Sequence, residues 1–258
     1  MFASAARSSS SSSAAKVLVV EHEHDAGAQR LGAVLIESGA ELTVVGPDAG
    51  AAIPETLDDF DALVVLGGTP GPNDDAVAPW LPATRALVSE ALRHEIPYLG
   101  VCLGAQILAV VAGGTVSTAA QPEVGLAAFA LTDAAAGDPL LDGLDRLECA
   151  NTASPLRALQ WHFLEVTQLP TGSTALASNQ ACRNQAFRVG SCAWGVQFHL
   201  EANSETASAW ATPERSRPEL AAHGLTADGI ISEMLAHESH LSRTWGTLTR
   251  RWLALVQK

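Results

Sequence analysis

Cys102 stands between two glycines in Gly100-Val101-Cys102-Leu103-Gly104, at positions minus two and plus two. The serine version of this spacing is the nucleophile elbow, a tight turn from strand into helix whose small flanking residues let neighbouring backbone come close. A cysteine so placed sits at a helix N-terminus, where unpaired N–H groups and the helix dipole favour thiolate over thiol. The five residues alone fit a catalytic nucleophile or an inert buried thiol equally well, because most free cysteines behave as small hydrophobes. A partner imidazole favours the nucleophile.

Of the 8 histidines, His199 has the right context. It lies at the end of an apparent strand, Trp194-Gly-Val-Gln-Phe-His-Leu-Glu201. Side chains two apart on a strand face the same way, so Glu201 can take one ring nitrogen of His199 while the other faces a nucleophile. Nucleophile, base and orienter together make a triad. His22, His24, His94, His237 and His240 lie in charged or helical-surface contexts and read as solvated, and His223 reads as a loop residue before Gly224. His22 and His24 alternate with Glu21 and Glu23, but no second cluster completes a metal site, and none is expected. Cys149, Cys182 and Cys192 lack glycine flanks and a helix start, so they read as buried or incidental thiols.

The elements around these residues follow from hydrophobic period. Lys16–Val20 is a β-branched run, and a helix is expected over Ala26–Ser38. Leu42–Val45 and the wholly apolar Ala62–Leu66 are strands, the latter as expected for a strand covered on both faces. A helix is expected over Pro79–His94, ended by Pro97. A fourth strand, Tyr98–Val101, runs into Cys102, and a helix follows over Leu103–Val111, stopped by Gly113-Gly114. Shorter strands are expected over Leu126–Leu131, Thr174–Ala177, Ala186–Val189 and Ala193–Phe198, as antiparallel additions to a parallel sheet. Two closing helices are expected, Thr226–Ala236 and Leu241–Val256; Trp245 and Trp252 lie on the apolar face of the second. The segments 69–78, 151–165 and 203–219 read as loops. No repeat or second domain boundary is visible.

Composition narrows the class. The chain has 258 residues, 47% hydrophobic and 17% charged, enough to bury a core without disulfide or metal support. Fifteen Lys and Arg against 28 Asp and Glu give a formal charge of -13, which repels nucleic acid phosphates and anionic lipid heads. No apolar run approaches the roughly 18 residues a bilayer span needs. Four cysteines without C-x-x-C spacing point to a reducing, cytoplasmic setting. Residues 1–15, Ser-rich and without acids, read as a disordered tail, with a short organellar transit peptide as the alternative. Residues 16–258 form one domain.

Gly-Val-Cys-Leu-Gly-Ala-Gln over 100–106, Gln-Phe-His-Leu-Glu over 197–201 and the Gly67-Gly68 turn, in this chain order, resemble the three signatures of class I (triad) glutamine amidotransferases. Glu123-Val-Gly125, Asp138-Pro-Leu140, Gln160-Trp-His162 and Asn184-Gln-Ala-Phe187 are similar to segments of stand-alone members related to the amidotransferase domain of GMP synthase. The resemblance covers residues 16–258. It implies a flavodoxin-like α/β fold, mostly parallel with helices on both faces, and a site at the carboxyl ends of the strands. It implies Cys102 as nucleophile, His199 as acid and base, Glu201 as orienter, and the N–H groups of Gly68 and Leu103 as the oxyanion hole. It further implies Gly67 and Gln106 in substrate binding and His162 in a loop lining the pocket; the family often has an Asp two residues after that histidine, where this chain has Leu164.

The implied chemistry is attack of Cys102 on the side-chain amide of glutamine or of a γ-glutamyl compound, through a thioester and without a cofactor. Three functions share these residues: a glutamine amidotransferase passing ammonia to a synthetase on another polypeptide, a free-standing γ-glutamyl hydrolase or peptidase, and a silent binding protein of the same fold. An intact Cys102, His199 and Glu201 argues against the third.

Overall fold

A computed structural model describes residues 14–147 and 154–257. Most of the Ser-rich tail, and Cys149, lie outside the described residues. Ala15, just before β1, is buried, and its carbonyl accepts the N–H of Glu41 at 2.8 Å.

Among the described residues nine strands form one sheet. In chain order they are β1 (Lys16–Val20), β2 (Glu41–Val45), β3 (Ala62–Val65), β4 (Tyr98–Val101), β5 (Thr115–Leu131), β6 (Leu156–Gln168), β7 (Thr174–Ser178), β8 (Ala186–Val189) and β9 (Ala193–Val196). Their spatial order is β2-β1-β3-β4-β9-β8-β7-β5-β6. The first five in that order are parallel and the rest antiparallel. The parallel part has the flavodoxin-like order, whose switch point falls between β1 and β3. The helices are α1 (Gln29–Glu37), α2 (Leu81–His94), α3 (Leu103–Val111), α4 (Ser204–Ala211), α5 (Arg217–Ala222) and α6 (Ala227–Val256).

Alternation along the buried strands divides the core into two layers. Val17, Val19, Val64, Leu66, Leu99 and Val101 face α1 and α6, packing with Leu31, Leu35, Trp245 and Trp252. Leu18, Val20, Leu63, Val65 and Tyr98 face α2 and α3, packing with Leu81, Leu87, Val88 and Leu108. Trp245 and Trp252 are therefore core residues.

Three expectations are corrected. Residues 156–165 belong to a strand, β6, paired with a long β5 that starts at Thr115 instead of Leu126. Pro122 in β5 obscured this: it cannot donate to a ladder, and the register shifts where it stands, between Thr118 and Glu123. The two closing helices are one, α6, of 30 residues. Its polar stretch His237-Glu-Ser-His240 contains no Gly or Pro and interrupts only the apolar face. The segment 203–219 is not all loop, since it holds α4 and the start of α5. α4 is announced by a capping box: Asn203 Oδ1 accepts the N–H of Thr206 at 2.9 Å. Among the described residues no helix is long and apolar enough to cross a membrane.

Candidate active site

β4 runs without a spacer into α3, and the turn between them is Cys102, with φ 50° and ψ −104°. This is a backbone region that side-chain-bearing residues rarely occupy. The flanking glycines permit it. A Cβ on Gly100 would lie 2.5 Å from the carbonyl carbon of Gly104, and one on Gly104 would collide with the carbonyl oxygen of Val65 in β3. The turn is held by the N–H of Cys102 on the Val196 carbonyl at 2.8 Å and by the Tyr98 hydroxyl on the Gly104 carbonyl at 2.8 Å.

His199 and Glu201 lie past the end of β9, which stops two residues before the expected Phe198. β9 ends at Val196, and the chain is kept extended by an isolated bridge in which the N–H of His199 donates to the Leu159 carbonyl at 2.9 Å. The two side chains still meet: His199 Nδ1 is 2.7 Å from Glu201 Oε1, both buried. Glu201 is fixed through its carbonyl, which accepts the N–H of Arg30 in α1 at 3.1 Å. Burial works against charging His199, but the Glu201 carboxylate and the Cys102 sulfur outweigh it and raise its pKa to about 10. Trp210 of α4 meets the ring edge-on, with centroids 4.6 Å apart.

The Gly67-Gly68 turn follows β3 and abuts the same atoms. A Cβ on Gly67 would fall 2.8 Å from His199 Cε1 and 3.5 Å from Cys102 Cβ. One on Gly68 would fall 3.2 Å from Leu103 Cδ2. Leu103 opens α3, so its N–H has no acceptor within the helix. Gln106, buried one turn into α3, donates through Nε2 to the Leu164 carbonyl at 3.1 Å and to Gln197 Oε1 at 3.3 Å. Gln197 in turn donates to Cys102 Sγ at 3.6 Å. Gln197 belongs to the Gln-Phe-His-Leu-Glu signature, but its contact with the sulfur is a tertiary fact.

Cys102, His199, Gly68 and Gln106 share one cavity of about 320 Å3, lined also by Trp161, His162, Phe163 and Leu164 of β6 and by Asp25, Trp210 and Arg215. Trp210 and Arg215 had no signal in the sequence, because they come from a segment read as loop. Glu201, Leu103 and Gly67 support the cavity without lining it. His162 is on its wall, held in a buried cluster. Its Nε2 lies 3.2 Å from Glu123 Oε2, and Glu123 also accepts from Asn179 and Gln185, each at 2.6 Å. Cys182 completes a group whose ligand atoms lie within 4.8 Å of one another. Burial pushes its thiol well up, and both oxygens of Glu123 are committed to amides, so the set reads as a satisfied hydrogen-bond network, not an open coordination site.

A family model, glutamine amidotransferase class-I, matches residues 23–211. The chain belongs to this family. Among class I glutamine amidotransferases and their relatives, it is 30% identical over 216 residues to the glutamine amidotransferase-like protein YfeJ of Salmonella typhimurium, covering 81% of this chain and 86% of that one. It is 34% identical over 166 residues to one subunit of the glutamine-hydrolysing GMP synthase of Sulfurisphaera tokodaii, covering 62% and 80%. In fold it matches a glutamine amidotransferase from Thermotoga maritima with a TM-score of 0.78 at 24% identity, over 93% of this chain and 98% of the other.

His22 corrects the reading of a solvated histidine. Its neighbour His24 is exposed, but His22 is 1% exposed, and burial lowers its pKa to about 4. Unfolded, it titrates near its ordinary value of about 6.5. Between these values the unfolded chain binds a proton that the folded chain does not, so stability rises with pH there; it is lost as pH falls through the folded value. The full effect is about 3 kcal/mol. His199 acts oppositely: its contribution is complete below about 6.5 and is lost as pH rises through about 10. Urea titrations across pH are expected to show decreasing stability from about 6.5 toward 4, and His22→Asn should flatten that acid limb. An acid limb unchanged by the substitution would remove His22 as its cause.

Proposed function

We propose that this chain hydrolyses the side-chain amide of glutamine through a γ-glutamyl thioester on Cys102 and passes the ammonia to a separate synthetase. The observation that carries the reading is the convergence of Cys102, the His199–Glu201 pair and the Gly67–Gly68 turn at one cavity. Cys102 sulfur attacks the amide carbon, and the oxygen takes the negative charge between the N–H groups of Gly68 and Leu103. The carbon–nitrogen bond then breaks, and the nitrogen leaves as ammonia with a proton from His199, which its raised pKa keeps available at neutral pH. Water, losing a proton to His199, attacks the thioester, and glutamate leaves as the sulfur is released. Glu201 holds Nδ1 throughout, so Nε2 is the working nitrogen.

The synthetase as recipient is supported by the similarity to a protein named as one subunit of GMP synthase. Free thiols at Cys102, Cys182 and Cys192 suit a reducing, cytoplasmic compartment. A second reading, a free-standing hydrolase of γ-glutamyl amides, draws on Trp210 and Arg215 in the lining of the same cavity, side chains that releasing ammonia does not require.

Steady-state hydrolysis of glutamine and of a panel of γ-glutamyl amides, with Cys102→Ala as the blank, tests both. Slow glutamine turnover with Cys102 labelled by a glutamine-like electrophile is the result expected of an amidotransferase without its partner. Fast turnover of a γ-glutamyl amide would favour the free-standing hydrolase. A Cys102 neither labelled nor turning over any of these compounds would refute the proposal.

A further inference from the structure

His22 follows β1 after a single residue, and its Nδ1 accepts the indole N–H of Trp80 at 2.9 Å. Indole nitrogen only donates, so the proton of the neutral ring sits on Nε2. Nε2 is buried and has no hydrogen-bond partner among the described residues. A buried donor left unpaired is costly, so the ring is placed by its surroundings and not to satisfy both nitrogens. Those surroundings are the turn after β3. A Cβ on Gly68 would fall 2.8 Å from Cβ and 3.3 Å from Cγ of His22, and 3.2 Å from Leu103 Cδ2. The space beside the Gly68 Cα is therefore filled by His22 and the side chain of Leu103. The segment around His22 adds two more braces: the Val20 carbonyl takes the N–H of Leu66 at 3.0 Å, and Glu23 Oε1 takes the N–H of Thr69 at 2.8 Å.

We propose that His22 is a positioning residue for acyl transfer: held by Trp80, its ring sets the gap between the N–H groups of Gly68 and Leu103. This rests on the reading of those two groups as oxyanion donors. Oxyanion donors act through placement within a fraction of an ångström, and a turn of two glycines has no side chains of its own to provide that placement. Trp80 is the N-cap of α2 and does not line the catalytic cavity, so Trp80→Phe reaches the site through His22.

The test compares Trp80→Phe, His22→Ala and His22→Asn in the full chain, the last keeping an acceptor for the indole. Turnover of glutamine is normalised to the fraction of Cys102 titrated by a glutamine-like electrophile, and the Gly68 amide is followed by NMR with 15N-glycine. Trp80→Phe and His22→Ala are expected to lower kcat about tenfold with KM within about twofold and to shift the Gly68 resonance, while His22→Asn largely keeps the wild-type kcat. A purely structural role would lower Tm and leave kcat per titrated site unchanged in all three variants, and that outcome overturns the inference. Should the wild-type chain not turn over glutamine, the activity assigned above fails, while the Gly68 resonance in Trp80→Phe, which keeps the imidazole, still decides on His22: a shift supports its role and no shift refutes it.

Discussion

Cys102→Ala is expected to lower amide hydrolysis by about 10⁴-fold or more, because no other group in the cavity can form the thioester. The fold should survive. The side chain is small, and Gln197 reaches its sulfur only at 3.6 Å. Cys102→Gly makes the same loss with a different signature. At φ 50° and ψ −104° any side chain strains the backbone, and glycine relieves it, so this variant should be more stable than Cys102→Ala by about 1 kcal/mol. A dead enzyme with a raised Tm would show that the strain serves the exposed sulfur. Residual hydrolysis near the wild-type rate in either variant would exclude Cys102 as nucleophile, and a Tm for Cys102→Gly below that of Cys102→Ala would exclude the strain.

Glu201→Gln should be nearly as severe, through the tautomer of His199. The carboxylate at 2.7 Å from Nδ1 keeps a proton on that nitrogen and leaves Nε2 free to work. A glutamine amide in its place can turn its NH2 toward Nδ1, which moves the ring proton to Nε2 and removes the base from the sulfur. In the comparable serine enzymes this error costs about 10⁴ in kcat with geometry intact. The second carboxylate oxygen, Oε2, is buried with no hydrogen-bond partner among the described residues, so an amide fits without losing a bond there. The expected result is kcat down by about 10³ to 10⁴ with KM little changed, and an acid form of His199 that titrates lower because its main counter-charge is gone. Unchanged kcat would mean that Glu201 only packs beneath the ring.

The parallel half of the fold was legible because its strands are short, apolar and bounded by turn residues, and because Gly100, Cys102 and Gly104 leave a local mark. β4 and α3 were read with the bounds they have, since a strand-to-helix turn is decided by neighbours in sequence. The β5–β6 pairing was not legible: it joins residues 35 and 39 apart (Gly125 with Gln160, Glu123 with His162), and Pro122 hides the strand where the register slips. His22 shows the same limit in a single residue. In sequence it alternates with acids and reads as surface; in the fold the end of β1 turns beneath the Gly67–Gly68 turn and Trp80 covers it.

By itself the sequence determined the α/β class, the elbow and the cysteine it holds, and the residue types of the His199–Glu201 pair, because each depends on spacings of a few residues that backbone geometry translates directly. Only the tertiary structure decided which side chains close the cavity, what braces the glycine turn and why His199 holds a proton. These depend on the distance and burial of groups brought together from β1, β3, β4, β6, α4 and the end of β9, and neither quantity exists until the sheet has formed.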